Sequence, residues 1–166
     1  MEDITEILLT AIAIERYGQD YYVRLSQAIA NEEGKAIMIG LARDEKEHEE
    51  LLAKEYTRVS DKPVPEKIEL NTAIGAEAVE KIFSGGEKTW VEAEDVLEAL
   101  EFGIAIEQKS IDFYSSKGST TEDEKLRQLF ADLVKIEKEH KSLLEENLFH
   151  LKQNGSWWGY VPILEG

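Results

Sequence analysis

The sequence predicts an all-α protein, a four-helix bundle with a long crossover between helices two and three, and three observations carry that prediction. Four long segments place apolar residues at alternating steps of four and three, the period of one helix face. The chain also repeats itself at a constant offset, so that Ile12-Ala13-Ile14-Glu15 recurs as Ile104-Ala105-Ile106-Glu107 and Glu45-Lys46-Glu47-His48 as Glu137-Lys138-Glu139-His140. Finally, about 30 residues, from about Thr57 to Thr89, separate the two repeated hairpins, far more than antiparallel neighbours need.

The first stripe runs Ile4, Leu8, Ala11, Glu15, Gly18, Tyr22, Leu25 and Ile29, apolar except for one carboxylate near its middle. Asn31-Glu32-Glu33-Gly34 reads as a short turn, so the second helix returns antiparallel, with the stripe Met38, Leu41, Glu45, His48 and Leu52. In the crossover, Pro63 and Pro65 mark an extended piece, and Asn71 to Phe83 reads as a short amphipathic helix broken by Gly85-Gly86. The third stripe is Val96, Leu100, Gly103, Glu107, Ser110 and Tyr114, with Gly118 placed as the helix end. Thr121-x-x-Glu124 has the form of a capping box opening the fourth helix. That helix carries Leu126, Phe130, Leu133, Glu137, His140, Leu144 and Leu151 and stops near Asn154-Gly155. Residues 1–153 are thus expected to form the bundle. Residues 154–166, with Trp157, Trp158 and Tyr160, form an aromatic tail expected to pack on the bundle or on a second subunit.

Length and composition narrow the function classes. A chain of 166 residues suits one domain with a sizeable core. The formal charge of −16 argues against nucleic-acid binding, which needs a basic footprint. With no cysteine, disulfides and thiol chemistry are excluded. No apolar run reaches membrane length and Met1-Glu2-Asp3-Ile4 lacks a basic leader, so a cytoplasmic protein with no membrane partner is expected.

The repeat preserves the residues that could bind metal. Residues three apart share a helix face, so Glu45 with His48, and Glu137 with His140, can each address one centre. With Glu15 and Glu107 they make a set of four carboxylates and two imidazoles, one acidic or Glu-x-x-His element per helix. Two divalent cations would neutralise the four carboxylates, which would otherwise repel one another and resist desolvation. Oxygen-rich ligands with one imidazole per metal suit iron or manganese better than zinc or copper. A lone Glu-x-x-His in a Glu-rich helix needs no metal, and Glu47, Glu49, Glu50, Glu139, Glu145 and Glu146 read as solvated faces. His150 lies off the pattern and reads as a surface histidine, while Tyr22 and Tyr114 could be plain core aromatics.

This constellation resembles the rubrerythrin branch of the ferritin-like superfamily, over about residues 3–152. The resemblance implies a ferritin-like bundle holding two iron ions, with manganese or a mixed pair as alternatives. By its implication Glu45 and Glu137 bridge the metals, Glu15 and Glu107 are terminal ligands, and His48 and His140 supply one nitrogen each. Tyr22 and Tyr114 are then tyrosines that hydrogen-bond to carboxylate ligands. Asp44 could support an imidazole, but its counterpart in the repeat is Ile136. Two departures stand out. Rubrerythrins typically carry a further ligand Glu three residues after the third-helix Glu, where this chain has Ser110. The four cysteines of a rubredoxin domain are also absent, so electrons are expected from a separate donor protein such as a rubredoxin.

The function implied is a non-haem di-iron oxidoreductase that reduces hydrogen peroxide or dioxygen in oxidative-stress defence. A ferroxidase or iron-handling protein is the alternative, and a non-catalytic helical protein the third. A homodimer is expected, and the long crossover makes exchange of hairpins between subunits conceivable.

Overall fold

A computed structural model describes residues 3–68 and 93–158, and the described residues form four α-helices and no strand. These are α1 (Ile4–Ala28), α2 (Glu32–Ser60), α3 (Ala93–Thr120) and α4 (Glu124–Asn154). Helices of 25 to 31 residues with apolar stripes draw most of their stability from burying those faces against one another rather than from propensity.

Local chemistry sets the helix ends. Asp3 caps α1 by accepting from the Thr5 amide, and Asn31 caps α2 by accepting from the Gly34 amide. Gly34 is therefore helical rather than part of the turn: two residues, Ala30 and Asn31, suffice beyond the Ile29 cap. The helix runs past the expected start of the crossover to Ser60 and ends on Asp61, in the left-handed region at φ 57°. Two further expectations are corrected. Gly118 does not end α3, which continues to Thr120; it faces α4, where an added Cβ would lie 3.3 Å from Phe130 Cβ. Nor does Thr121 cap α4: Asp123 accepts from the Leu126 amide at 3.1 Å and also takes both of its oxygens to Arg58 at the end of α2. An Asp with a free cap position and a nearby guanidinium outcompetes a threonine two residues upstream. Gly155 terminates α4 at φ 72°, a conformation suited to glycine.

Contacts at three helix pairs fix the topology. Arg16 meets Glu49 while Gly18 meets Glu45, so α1 and α2 run antiparallel. Likewise Gly103 faces Leu144 and Gly118 faces Phe130, making α3 and α4 antiparallel. Between hairpins, Tyr22 reaches Glu107 and Tyr114 reaches Glu15, so α1 also opposes α3. It follows that α2 and α3 are parallel, and that the end of α2 and the start of α3 lie at opposite ends of the bundle, about 40 Å apart for a helix of 29 residues. That is the ferritin-like arrangement, in which the link between the second and third helices spans the bundle rather than turning back. The short helix expected at Asn71 to Phe83 lies outside the described residues.

Two apolar clusters fill the bundle. One contains Tyr22, Leu25, Met38, Leu41, Leu100 and Leu144; the other contains Leu8, Ile12, Leu52, Tyr114, Phe130 and Leu133. Trp157, in the chain beyond α4, packs against the first cluster with its ring over Gly34. Trp158 donates its amide to Asn147 at 2.8 Å and stacks on His150, whose ring centroid is 5.0 Å away. His150 is accordingly half-buried rather than a free surface histidine.

Candidate metal centre

Between the two apolar clusters lies a layer of acid and imidazole. Glu15, Glu45, His48, Glu107, Glu137 and His140 are each at most 5 % exposed, and all six converge from four different helices. They occupy mid-helix positions on the stripes that form the core, so folding the apolar residues inward carries the carboxylates with them.

The geometry is that of two adjoining positions. Glu15, Glu45, His48 and Glu137 offer ligand atoms within 4.8 Å of one another, and so do Glu45, Glu107, Glu137 and His140. Glu45 and Glu137 belong to both groups, and each divides its oxygens between them. Glu137 sets Oε1 3.1 Å from His48 Nδ1 and Oε2 3.3 Å from His140 Nδ1. Glu45 sets Oε1 3.2 Å from His140 Nδ1 and Oε2 3.9 Å from His48 Nδ1. Glu15 and Glu107 each approach one imidazole only, His48 at 3.5 Å and His140 at 3.7 Å. The two rings lie nearly parallel, 5.9 Å apart.

Tyrosines hold the outer carboxylates, and they do so across the repeat. The Tyr22 hydroxyl on α1 donates to Glu107 Oε1 on α3 at 2.5 Å. Tyr114 on α3 donates to Glu15 Oε1 on α1. Both tyrosines are fully buried, and each is thereby paired with the buried glutamate of the opposite hairpin rather than its own. A further contact comes from Asp44, whose Oδ2 sits 2.8 Å from His140 Nε2. A carboxylate can only accept here, so Nε2 carries the proton and Nδ1 is left to face the centre. Ser110, three residues after Glu107, is buried as well. Gly18, its counterpart in the repeat, leaves room for Glu45, since a Cβ would stand 3.4 Å from the Glu45 carboxylate.

Electrostatically the cluster is unfinished as a set of protein groups alone. Burial first, then the Glu137 and Glu15 charges, push Glu45 well above the usual carboxylate range. Burial and Glu137 raise Glu107 in the same direction. Burial opposes charging of His48, but the facing Glu137 and Glu15 outweigh it and lift the imidazole to about 10. His140 rises as well, with Asp44, Glu107 and Glu137 overcoming burial. Glu137 moves the other way, held down against burial by Glu107 and the two imidazoles. Protons thus stand in for missing positive charge. Even so, Glu15 Oε2, Glu45 Oε1, both Glu137 oxygens and the Nδ1 atoms of His48 and His140 are buried without a hydrogen-bond partner. Groups buried in that state are rare in proteins and call for an explanation. All of these atoms point into the same two positions. Carboxylate oxygens with an imidazole nitrogen in each group form a donor set that could hold metal.

A ferritin-like four-helix bundle around a buried Glu/His group that could bind metal places the chain in a defined class of helical proteins. The family model described as Rubrerythrin matches residues 6–148, and the chain belongs to the rubrerythrin family. Its fold is also similar to that of a hypothetical protein from Pyrococcus furiosus, with a TM-score of 0.72 and 24% sequence identity over 95% of this chain and 94% of that one. No curated protein matches the chain. Among the described residues no helix is long and apolar enough to cross a membrane.

Proposed function

We propose that the protein is a non-haem di-iron oxidoreductase that reduces hydrogen peroxide, or dioxygen, with electrons from a separate donor such as a rubredoxin-type protein. The observation that carries this reading is the pair of shared carboxylates, Glu45 and Glu137, each with one oxygen toward either imidazole. Carboxylates shared in this way would hold two metal ions, and such a pair would supply the redox chemistry for a small oxidant. Bound iron supplies the electron transfer, two electrons and two protons converting one peroxide to two waters. Glu15 with His48, and Glu107 with His140, would complete the two positions.

The chain's own contributions are positioning, charge and exclusion of water. Tyr22 and Tyr114 fix the outer carboxylates through hydroxyl hydrogen bonds, which prevents them from rotating away from the centre. The flanking apolar clusters keep the layer dry, which strengthens every charge interaction inside it. Four carboxylates balance two divalent cations, so the loaded core is neutral.

A ferroxidase is the second reading, and Ser110 is the observation that favours it. Without a carboxylate at that position, the ligand set is the symmetric six-residue one, with no extra group to exchange during a redox cycle. Anaerobic loading of the metal-free protein with ferrous iron separates the two. Two irons per chain, oxidised much faster by peroxide than by air, are expected for the peroxidase. Faster oxidation by air with uptake continuing beyond two irons would establish the ferroxidase instead. Failure to take up iron or manganese in stoichiometric amount would refute both.

A further inference from the structure

The two metal positions are related by the internal repeat, yet their surroundings differ at one place. Asp44 precedes Glu45 on α2 and places Oδ2 2.8 Å from His140 Nε2 on α4. Its counterpart in the repeat, Ile136, precedes Glu137 and is a half-buried hydrocarbon. Among the described residues, His48 meets carboxylates only through Nδ1, on the side facing the centre. One imidazole is therefore held from behind by a carboxylate, and the other is not.

A carboxylate behind a ligating imidazole has three physical effects. It fixes the tautomer, so that the nitrogen facing the metal keeps its lone pair. It locks the ring plane, which removes an ordering cost from metal binding. It also makes the imidazole a stronger donor, since its N–H is polarised toward the anion. The Asp44 side chain is 31 % exposed, so it reaches His140 from the solvent side of the ring.

We infer that Asp44 is a positioning residue that makes the two metal positions unequal, so that the position formed by Glu107 and His140 fills first and holds its ion more tightly than the one formed by Glu15 and His48. This rests on the metal centre proposed above. The asymmetry lies outside the ligand set, which the repeat keeps identical on both sides.

The test is titration of the metal-free full chain with Mn2+, followed by the six-line electron paramagnetic resonance signal of the free ion. The wild-type protein is expected to take up two ions in two resolved steps. Glu107→Gln identifies the step belonging to the His140 position and Glu15→Gln the other. Asp44→Ala is expected to weaken the Glu107-marked step by about tenfold or more, while the Glu15-marked step changes little. Ile136→Asp supplies the missing carboxylate and is expected to tighten the Glu15-marked step by about tenfold, a gain that misfolding cannot imitate. An Asp44→Ala titration superimposable on the wild type, or one in which only the Glu15-marked step weakens, overturns the inference while leaving the metal centre intact. Two equal sites in the wild type would do the same. No uptake of Mn2+ or Fe2+ by the wild type would overturn the metal centre and this inference together.

Discussion

At the residue scale, Tyr114 shows how closely the buried carboxylates depend on single donors. Its hydroxyl is the hydrogen-bond donor to Glu15 Oε1, while Glu15 Oε2 has none. Tyr114→Phe removes one oxygen and leaves both Glu15 oxygens without a hydrogen-bond partner. A loss of about 1–3 kcal/mol in the metal-free state is expected, read from denaturant unfolding. With metal, a roughly tenfold loss of affinity at the Glu15 position is expected, because the outer carboxylate is no longer oriented. Unchanged stability and affinity would mean that the hydroxyl only fills space. The six converging residues were legible in the sequence because the repeat carries each onto a chemically identical partner. The direction of the tyrosine contacts was not: pairing Tyr22 with Glu107 requires knowing that α1 lies against α3, which spacing along one helix does not contain. Asp44 was legible as a candidate support for an imidazole, although the hydrocarbon at Ile136 in the repeat spoke against that role; that the imidazole is His140, on a helix of the other hairpin, was not.

At the element scale, helix ends were the less legible feature. Periodicity locates a helix face, but its ends are decided by competition among nearby caps, as Asp123 prevails over Thr121 and Gly118 serves packing rather than termination. Gly34 has a similar double aspect, since it reads as a turn residue but its lack of a side chain serves the aromatic segment after α4. A Cβ there would lie 2.5 Å from Trp157 Cε2 and 2.9 Å from Ile29 Cγ2. Gly34→Ala gains helix propensity yet must expel the indole, and the clash is expected to dominate with a net loss of about 1–3 kcal/mol. Tryptophan emission should shift to the red as Trp157 meets water. A more stable variant with unshifted emission would show that the indole has room to move.

For the whole molecule, the charge layer couples stability to pH. Glu45, Glu107, His48 and His140 all bind protons more readily in the folded, metal-free protein than in the unfolded chain. Groups raised in this way stabilise fully below their unfolded values, 4.5 for the glutamates and 6.5 for the histidines, and lose that contribution as pH rises through the folded values, about 10 for His48. Glu137 has the opposite sign: its contribution is present above 4.5 and disappears as pH falls through its lowered folded value. The melting temperature of metal-free protein is therefore expected to fall between about pH 6.5 and 10. Mn2+ should flatten that decline, because the cation replaces the protons. Circular dichroism melts across this range check both, and a flat metal-free profile would contradict the coupling.

Glu45 and Glu137 come from different hairpins and each faces both imidazoles, so neither half of the chain owns a complete position. Two separate copies of one hairpin, related by a true twofold axis, would present an equivalent set of ligands, but everything around those ligands would be forced to be identical as well. Joining the halves into one polypeptide removes that compulsion. The difference between Asp44 and Ile136 is a freedom that an exact twofold pair lacks: the surroundings of the two groups can differ while Glu45 and Glu137 remain common to both.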